Sequence, residues 1–194
     1  SRRSLGRCGA MITPLQQDDA LLADIHAAAG DALHLWWLGQ SGFLLKQANA
    51  FLLLDPYLSD SLTLKYAATD KPHVRMTERC IAPEQLGFVK LATSSHQHTD
   101  HFDEATLLPL ATASGSLQLV LPAAVCGAAR QRLGEANITL HGLDDGTSIE
   151  LDGWRFTGVA AAHNEIERDA QGHCKCLGFI IERNGFTLYH SGDT

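Results

Sequence analysis

The stretch Thr93-Ser94-Ser95-His96-Gln97-His98-Thr99-Asp100-His101-Phe102-Asp103 sets three imidazoles and a carboxylate within six consecutive positions, an H-x-H-x-D-H pattern. Imidazole nitrogen is the commonest protein ligand for zinc-like cations and carboxylate oxygen is a harder companion, so the alternation can hold one ion or two. On an extended backbone His96 and His98 project to the same side, and a turn after Thr99 brings Asp100 and His101 round to a neighbouring point. Phe88 to Ala92 reads as a short strand entering the motif. Asp103 is placed to cap a helix from Glu104 to Ala113, with Leu107, Leu108 and Leu110 on its apolar side. The histidines are therefore expected at a strand-to-helix junction. Beyond it, Leu117 to Leu121, Pro122 to Leu133 and Ile138 to Leu140 read as strand, helix and strand, which completes a β-α-β-α-β run.

Towards the N-terminus, Leu21, Leu22, Ile25 and Ala28/Ala29 recur at helical spacing within Gln16 to Ala29, with Asp18 and Asp19 at the start and Gly30 beyond the end. His34 to Leu38 and Phe43 to Lys46 read as two strands joined through Gly39-Gln40-Ser41-Gly42, residues that tolerate positive φ. Ala50 to Leu54 is continuously apolar, as in a strand buried on both faces, and it delivers Asp55 to a strand exit where Pro56 ends the ladder. Residues 57–87 carry no clear period, are punctuated by Pro72, Pro83 and Gly87, and predict a long loop with short helical turns. Towards the C-terminus, Thr147 to Leu151, Trp154 to Ala160, Leu177 to Glu182 and Phe186 to Tyr189 read as hairpin strands around Asp152-Gly153 and Asn184-Gly185. Strands with helices gathered outside them imply stacked sheets in an α/β layering.

The 194 residues suffice for one domain with a sizeable core, and the 45% apolar content is ordinary for a globular protein. A formal net charge of −7 without a basic stripe disfavours nucleic acid as the main partner. Cys8, Cys80, Cys126, Cys174 and Cys176 form no closely spaced framework, so a reduced, cytoplasmic setting is expected, and the Cys174/Cys176 spacing is too short for a zinc knuckle. No apolar run approaches the roughly 20 residues that span a bilayer. Residues 1–10 are basic without a signal-type apolar core to follow, and we expect them to be a non-native leader ahead of Met11, with one domain over 11–194.

The histidine segment resembles the signature of the metallo-β-lactamase superfamily, whose members are mostly metal-dependent hydrolases. Leu52-Leu53-Leu54-Asp55-Pro56-Tyr57 resembles the family's first motif, Ala161-Ala162-His163 its third and Tyr189-His190-Ser191-Gly192-Asp193-Thr194 its fourth. With Trp37-Leu38-Gly39-Gln40-Ser41-Gly42, the wording is most similar to the branch that contains L-ascorbate-6-phosphate lactonase. The resemblance spans residues 33–194 and implies an αββα sandwich with the metal site at one sheet edge.

It also implies roles. His96, His98 and His163 would hold one metal. Asp100 and His101 would serve a second, with Asp100 also the catalytic carboxylate, Asp193 bridging the two and Asp55 bracing the metal loop without binding metal. Two cations about 3.5–4 Å apart activate water and stabilise the developing oxyanion, so the expected activity is hydrolysis of a small-molecule lactone, ester or phosphoester with zinc, manganese or iron. A nuclease-type phosphodiesterase and a non-catalytic metal-binding fragment are the alternatives. The family places a further ligand histidine downstream of its Gly-Asp motif, whereas this sequence stops at Thr194, so we expect the C-terminal portion of the domain to be missing.

Overall fold

The computed structural model describes residues 11–70, 73–162 and 164–194. The leader at 1–10, the loop punctuation at Pro72 and the ligand expected at His163 lie outside the described residues. Helix α1 (Asp18–Ala27) buries Leu21 and Ile25, one turn apart, as the periodicity predicts. Strands β1 (Leu33–Trp37), β2 (Phe43–Gln47) and β3 (Ala50–Leu54) follow as an antiparallel meander. In β3 only Leu52, Leu53 and Leu54 are buried; Ala50 and Phe51, beside the Ala48-Asn49 turn, are half-buried. The long loop carries a short helix α2 (Ser61–Tyr66) and a 3₁₀ turn at Pro83–Leu86.

Strand β4 (Leu91–Thr93), helix α3 (Glu104–Ser114), strand β5 (Leu117–Pro122), helix α4 (Cys126–Leu133) and strand β6 (Ile138–Leu143) form the expected alternating run. β3, β4, β5 and β6 pair in parallel, so the six strands make one mixed sheet in chain order. Three sequence expectations are corrected here. The strand before the histidines starts at Leu91 rather than Phe88, because Val89 N–H closes the 3₁₀ turn on Leu86 O at 2.8 Å and draws Phe88 and Val89 out of the ladder. Pro122 ends β5 opposite Leu143 instead of opening a helix, and a 3₁₀ turn at Ala123–Val125 precedes α4. Asp103 stands at the N-cap of α3 but makes no side-chain cap, since its carboxylate accepts from Ser61 Oγ (2.9 Å) and Thr106 Oγ1 (2.5 Å).

Strands β7 (Ser148–Leu151), β8 (Trp154–Ala160), β9 (Leu177–Arg183) and β10 (Phe186–His190) form a second, antiparallel sheet ordered β10-β9-β8-β7. Asp152 (φ +51°) and Asn184 (φ +43°) each precede a positive-φ glycine, the backbone that tight two-residue hairpin turns require. Side-chain alternation along the first sheet separates two cores. Leu44, Leu53, Ala92, Leu119 and Leu121 meet Ile25 of α1, Leu107 and Leu110 of α3 and Leu133 of α4. Leu45, Leu52, Leu54, Leu91 and Val120 face Trp154, Phe156, Leu177, Phe179 and Ile181 of the second sheet. Each such buried aromatic or leucine contributes about 1.5–3 kcal/mol by leaving water. The order of layers is thus helices, mixed sheet, antiparallel sheet, and among the described residues no buried helical side chain belongs to the second core. Parallel pairing of β3 and β4 brings their C-terminal ends, at Asp55 and Thr93, to the same edge.

Candidate metal centre

β4 ends at Thr93 and hands the chain to the histidine loop at that edge. Ser94 N–H still bonds Val120 O at 2.9 Å, and Ser94 Oγ donates to His96 O at 2.8 Å. The loop then turns back on itself, with His98 O accepting from His101 N–H (3.0 Å) and Phe102 N–H (2.7 Å). The turn gathers the imidazoles, the His96 ring centroid lying 4.5 Å from that of His98, edge to face, and 4.3 Å from that of His101, tilted. His96 and His101 are buried, while His98 is exposed. Asp193 arrives from beyond β10, and one ligand atom from each of His96, His98 and Asp193 lies within 4.8 Å of the others. Asp100 Oδ2 lies 3.8 Å from His101 Nε2.

Asp55 occupies the hub behind the loop. Its carboxylate, fully buried, accepts from Thr93 Oγ1 (2.8 Å), Ser95 N–H (3.1 Å), Ser95 Oγ and His101 Nδ1 (2.8 Å). Asp55 holds φ at +39°, a region open to aspartate and asparagine and poor for most other side chains. Ser95 ties the two sheets together as well, since its carbonyl accepts from Leu177 N–H at 3.0 Å. Gly192 packs against the same serine, where a Cβ would meet Ser95 Cβ at 2.8 Å. Ser41, in the turn between β1 and β2, donates to Asp100 O at 2.7 Å.

Electrostatics divide these groups. Burial opposes ionisation of Asp55, but the His101 hydrogen bond, the charges of His190 and His101 and the Ser95 hydrogen bond outweigh it and hold the carboxyl well below the usual range. Burial likewise opposes charge on His101, yet the bond to Asp55 and the charges of Asp55, Asp100 and Asp193 raise it. Burial, then the charges of His101 and His98, push His96 down to about 4. At neutral pH the His96 ring is therefore uncharged, the form that offers a lone pair to a cation. Two imidazoles and a carboxylate within reach of one point are a donor set suited to a zinc-like ion, so the residues present fit the metal that the sequence implies.

Of the residues singled out in sequence, His96, His98 and Asp193 meet in one group, and His101 pairs with Asp55 in front of Asp100. His190, set aside in sequence, lies close enough to act on the Asp55 charge. Thr93, Ser95 and Ser41 were not foreseen. The available signal was the run Thr93-Ser94-Ser95, three hydroxyl residues in a row where β4 ends and the histidine loop begins, all of them buried. Beside the loop opens a cleft of about 1040 Å³ lined by Ser61, Lys65, Tyr66, His73, His98 and Asp100 among others.

Residues 52–194 match the profile of the beta-lactamase superfamily domain, and the chain belongs to that superfamily. It is 26% identical over 162 residues to a UPF0173 metal-dependent hydrolase of Methanosarcina barkeri, covering 81% of this chain and 60% of the relative. A UPF0173 metal-dependent hydrolase of Pyrobaculum calidifontis is 28% identical over 170 residues, covering 84% and 62%. The chain thus spans about 60% of the length of the curated relatives it matches. Among solved structures, a possible metal-dependent hydrolase from Veillonella parvula superposes with a TM-score of 0.62 at 20% identity, covering 86% of this chain and 64% of that one. An isothiocyanate hydrolase from Delia radicum gut bacteria gives 0.57 at 24%, covering 82% and 62%. These two structures establish the fold.

Proposed function

We propose that the chain carries the metal-binding part of a metal-dependent hydrolase that uses activated water on a small-molecule lactone, ester or phosphoester. The observation that carries this is the grouping of His96, His98 and Asp193 within 4.8 Å, in front of a carboxylate-braced His101. His96 and His98, with His163, would hold one cation. Asp100 and His101 would hold a second, with Asp193 between them, in keeping with the action of its charge on both His96 and His101. Bound there, a divalent ion supplies Lewis acidity toward water and toward the carbonyl or phosphoryl oxygen of the substrate. The donor set admits zinc, manganese or iron.

The protein's own part is to hold the ligands still and to present the substrate. Asp55 fixes the His101 ring, Ser41 holds the Asp100 backbone, and the neutral His96 needs no proton removed before it binds. The cleft beside His98 and Asp100 is of small-molecule size, and the net charge of −7 argues against a nucleic-acid backbone. Resemblance at Trp37 to Gly42 favours a lactone, and the Ser41 contact gives that segment a place at the site. Unpaired Cys80, Cys126, Cys174 and Cys176 favour the cytoplasm, and no helix among the described residues is long and apolar enough to cross a membrane.

The test is metal titration of the full-length protein, followed by a panel of lactones, carboxylic esters, phosphomonoesters and phosphodiesters. Metal-dependent turnover of one of the first three supports the proposal. Turnover confined to nucleic-acid phosphodiesters, or a metal-loaded protein inert on the whole panel, overturns it.

A further inference from the structure

We infer that Arg132 of α4 is a positioning residue that sets the span of the histidine loop and so governs how tightly the loop closes on a cation; the inference rests on the metal-site reading above. The loop has several backbone carbonyls to satisfy. That of His98 is taken by two amides inside the loop and that of Asp100 by Ser41. The carbonyls at the two ends, Gln97 O and Phe102 O, are held by one guanidinium, from Nη1 and Nη2 at 2.9 Å each. The third edge of the same group, Nε, donates to Glu104 Oε1 in the first turn of α3. Its Cζ lies 4.4 Å from the centroid of the buried Phe102 ring. His98, Asp100 and His101 all fall between the two gripped carbonyls.

A planar fork with five donors can bridge two carbonyls and a carboxylate at once, whereas an ammonium is a point charge on a flexible stem and cannot. The span from Gln97 to Phe102 is thus set by the width of a rigid group rather than by the loop's own torsions. Arg130, on the same helix, also donates to two carbonyls, Gly134 O at 3.4 Å and Ile138 O at 2.6 Å, but neither belongs to the loop.

That neighbour supplies the control. A merely structural arginine would lower stability and leave the loop's grip on metal unchanged, as expected for R130A. A positioning arginine would weaken the metal when replaced by a residue that keeps the charge. In the full-length protein, Co²⁺ is titrated into wild type, R132K, R132Q and R130A, followed by the visible absorption of the bound ion, with denaturant unfolding of each metal-free form alongside. We expect R132K and R132Q to bind Co²⁺ about 10–100-fold more weakly, as when a group that orients a ligand is lost, and with an altered spectrum, while R130A keeps wild-type affinity and spectrum. Wild-type affinity and spectrum in R132K and R132Q would overturn the inference. Should R132Q fail to fold, R132K alone decides it. Wild type that binds neither Co²⁺ nor Zn²⁺ would overturn the metal reading itself and this inference with it.

Discussion

Nδ1 of His101 lies 2.8 Å from Oδ2 of Asp55, and both side chains are buried. The carboxylate accepts the Nδ1 proton, so Nε2, facing Asp100, is the ring atom left for a ligand or a second partner. A buried carboxylate behind an imidazole fixes both its tautomer and its orientation, and raises its basicity toward a metal. Asp55 comes from the end of β3 and His101 from the loop after β4, so the pair exists only because those strands run in parallel.

Asp55→Asn should keep the fold and weaken metal binding about 10–100-fold. Asparagine tolerates the +39° backbone angle but brings no charge to His101. Asp55→Ala should lose the same support and roughly 1 kcal/mol more in stability from that angle. Zinc competition titrations, with His98→Ala as a removed ligand, should rank Asp55→Asn as the milder variant. The reverse ranking, with unchanged circular dichroism, would mean that Asp55 binds metal directly.

His96→Ala combined with His98→Ala should remove transition metal from the purified full-length protein. Elemental analysis is the measurement, and metal content equal to wild type would place the site elsewhere.

Gly192→Ala should be costly for two separable reasons. A Cβ would sit 2.8 Å from Ser95 Cβ and 2.9 Å from its Oγ, and φ is +65°. Crowding and backbone strain together amount to roughly 2–4 kcal/mol. Gly185→Ala, at φ +83° with nothing within 4 Å of the new methyl group, carries the strain alone. Denaturant unfolding should separate the two variants, and only Gly192→Ala should loosen metal.

Phe156→Ala tests the sandwich itself. The ring is fully buried between the sheets, and its loss should cost about 3–5 kcal/mol in urea unfolding. A change under 1 kcal/mol would show that the second sheet does not depend on this core.

Much of this arrangement is legible in the sequence where the signal is local. The bounds of Ala50–Leu54 follow from its apolar run, the start of Trp154–Ala160 from the Asp152-Gly153 turn before it, and the histidine motif announces itself because its residues are nearly consecutive. Phe88 and Val89 misled because apolar residues look alike in a strand and in a packed turn. The brace at Asp55 was visible only by resemblance, since the residues it holds lie about 40 positions further on. The part played by Arg132 left no local mark, because two of its three partners are backbone carbonyls, and every residue type offers a carbonyl.

Ser95 gives its amide and hydroxyl to Asp55 and its carbonyl to Leu177. One residue therefore sits at the lip of a clamshell whose two leaves are the two sheets, with the imidazoles on the rim. Prising the leaves apart at that lip pulls on the Leu177 amide, then on Ser95, then on the carboxylate that steadies His101. On the proposed metal reading, the gape of the shell and the grip on a cation would be one coordinate, and the outer sheet reaches the same rim through Gly192 and Asp193 beyond β10.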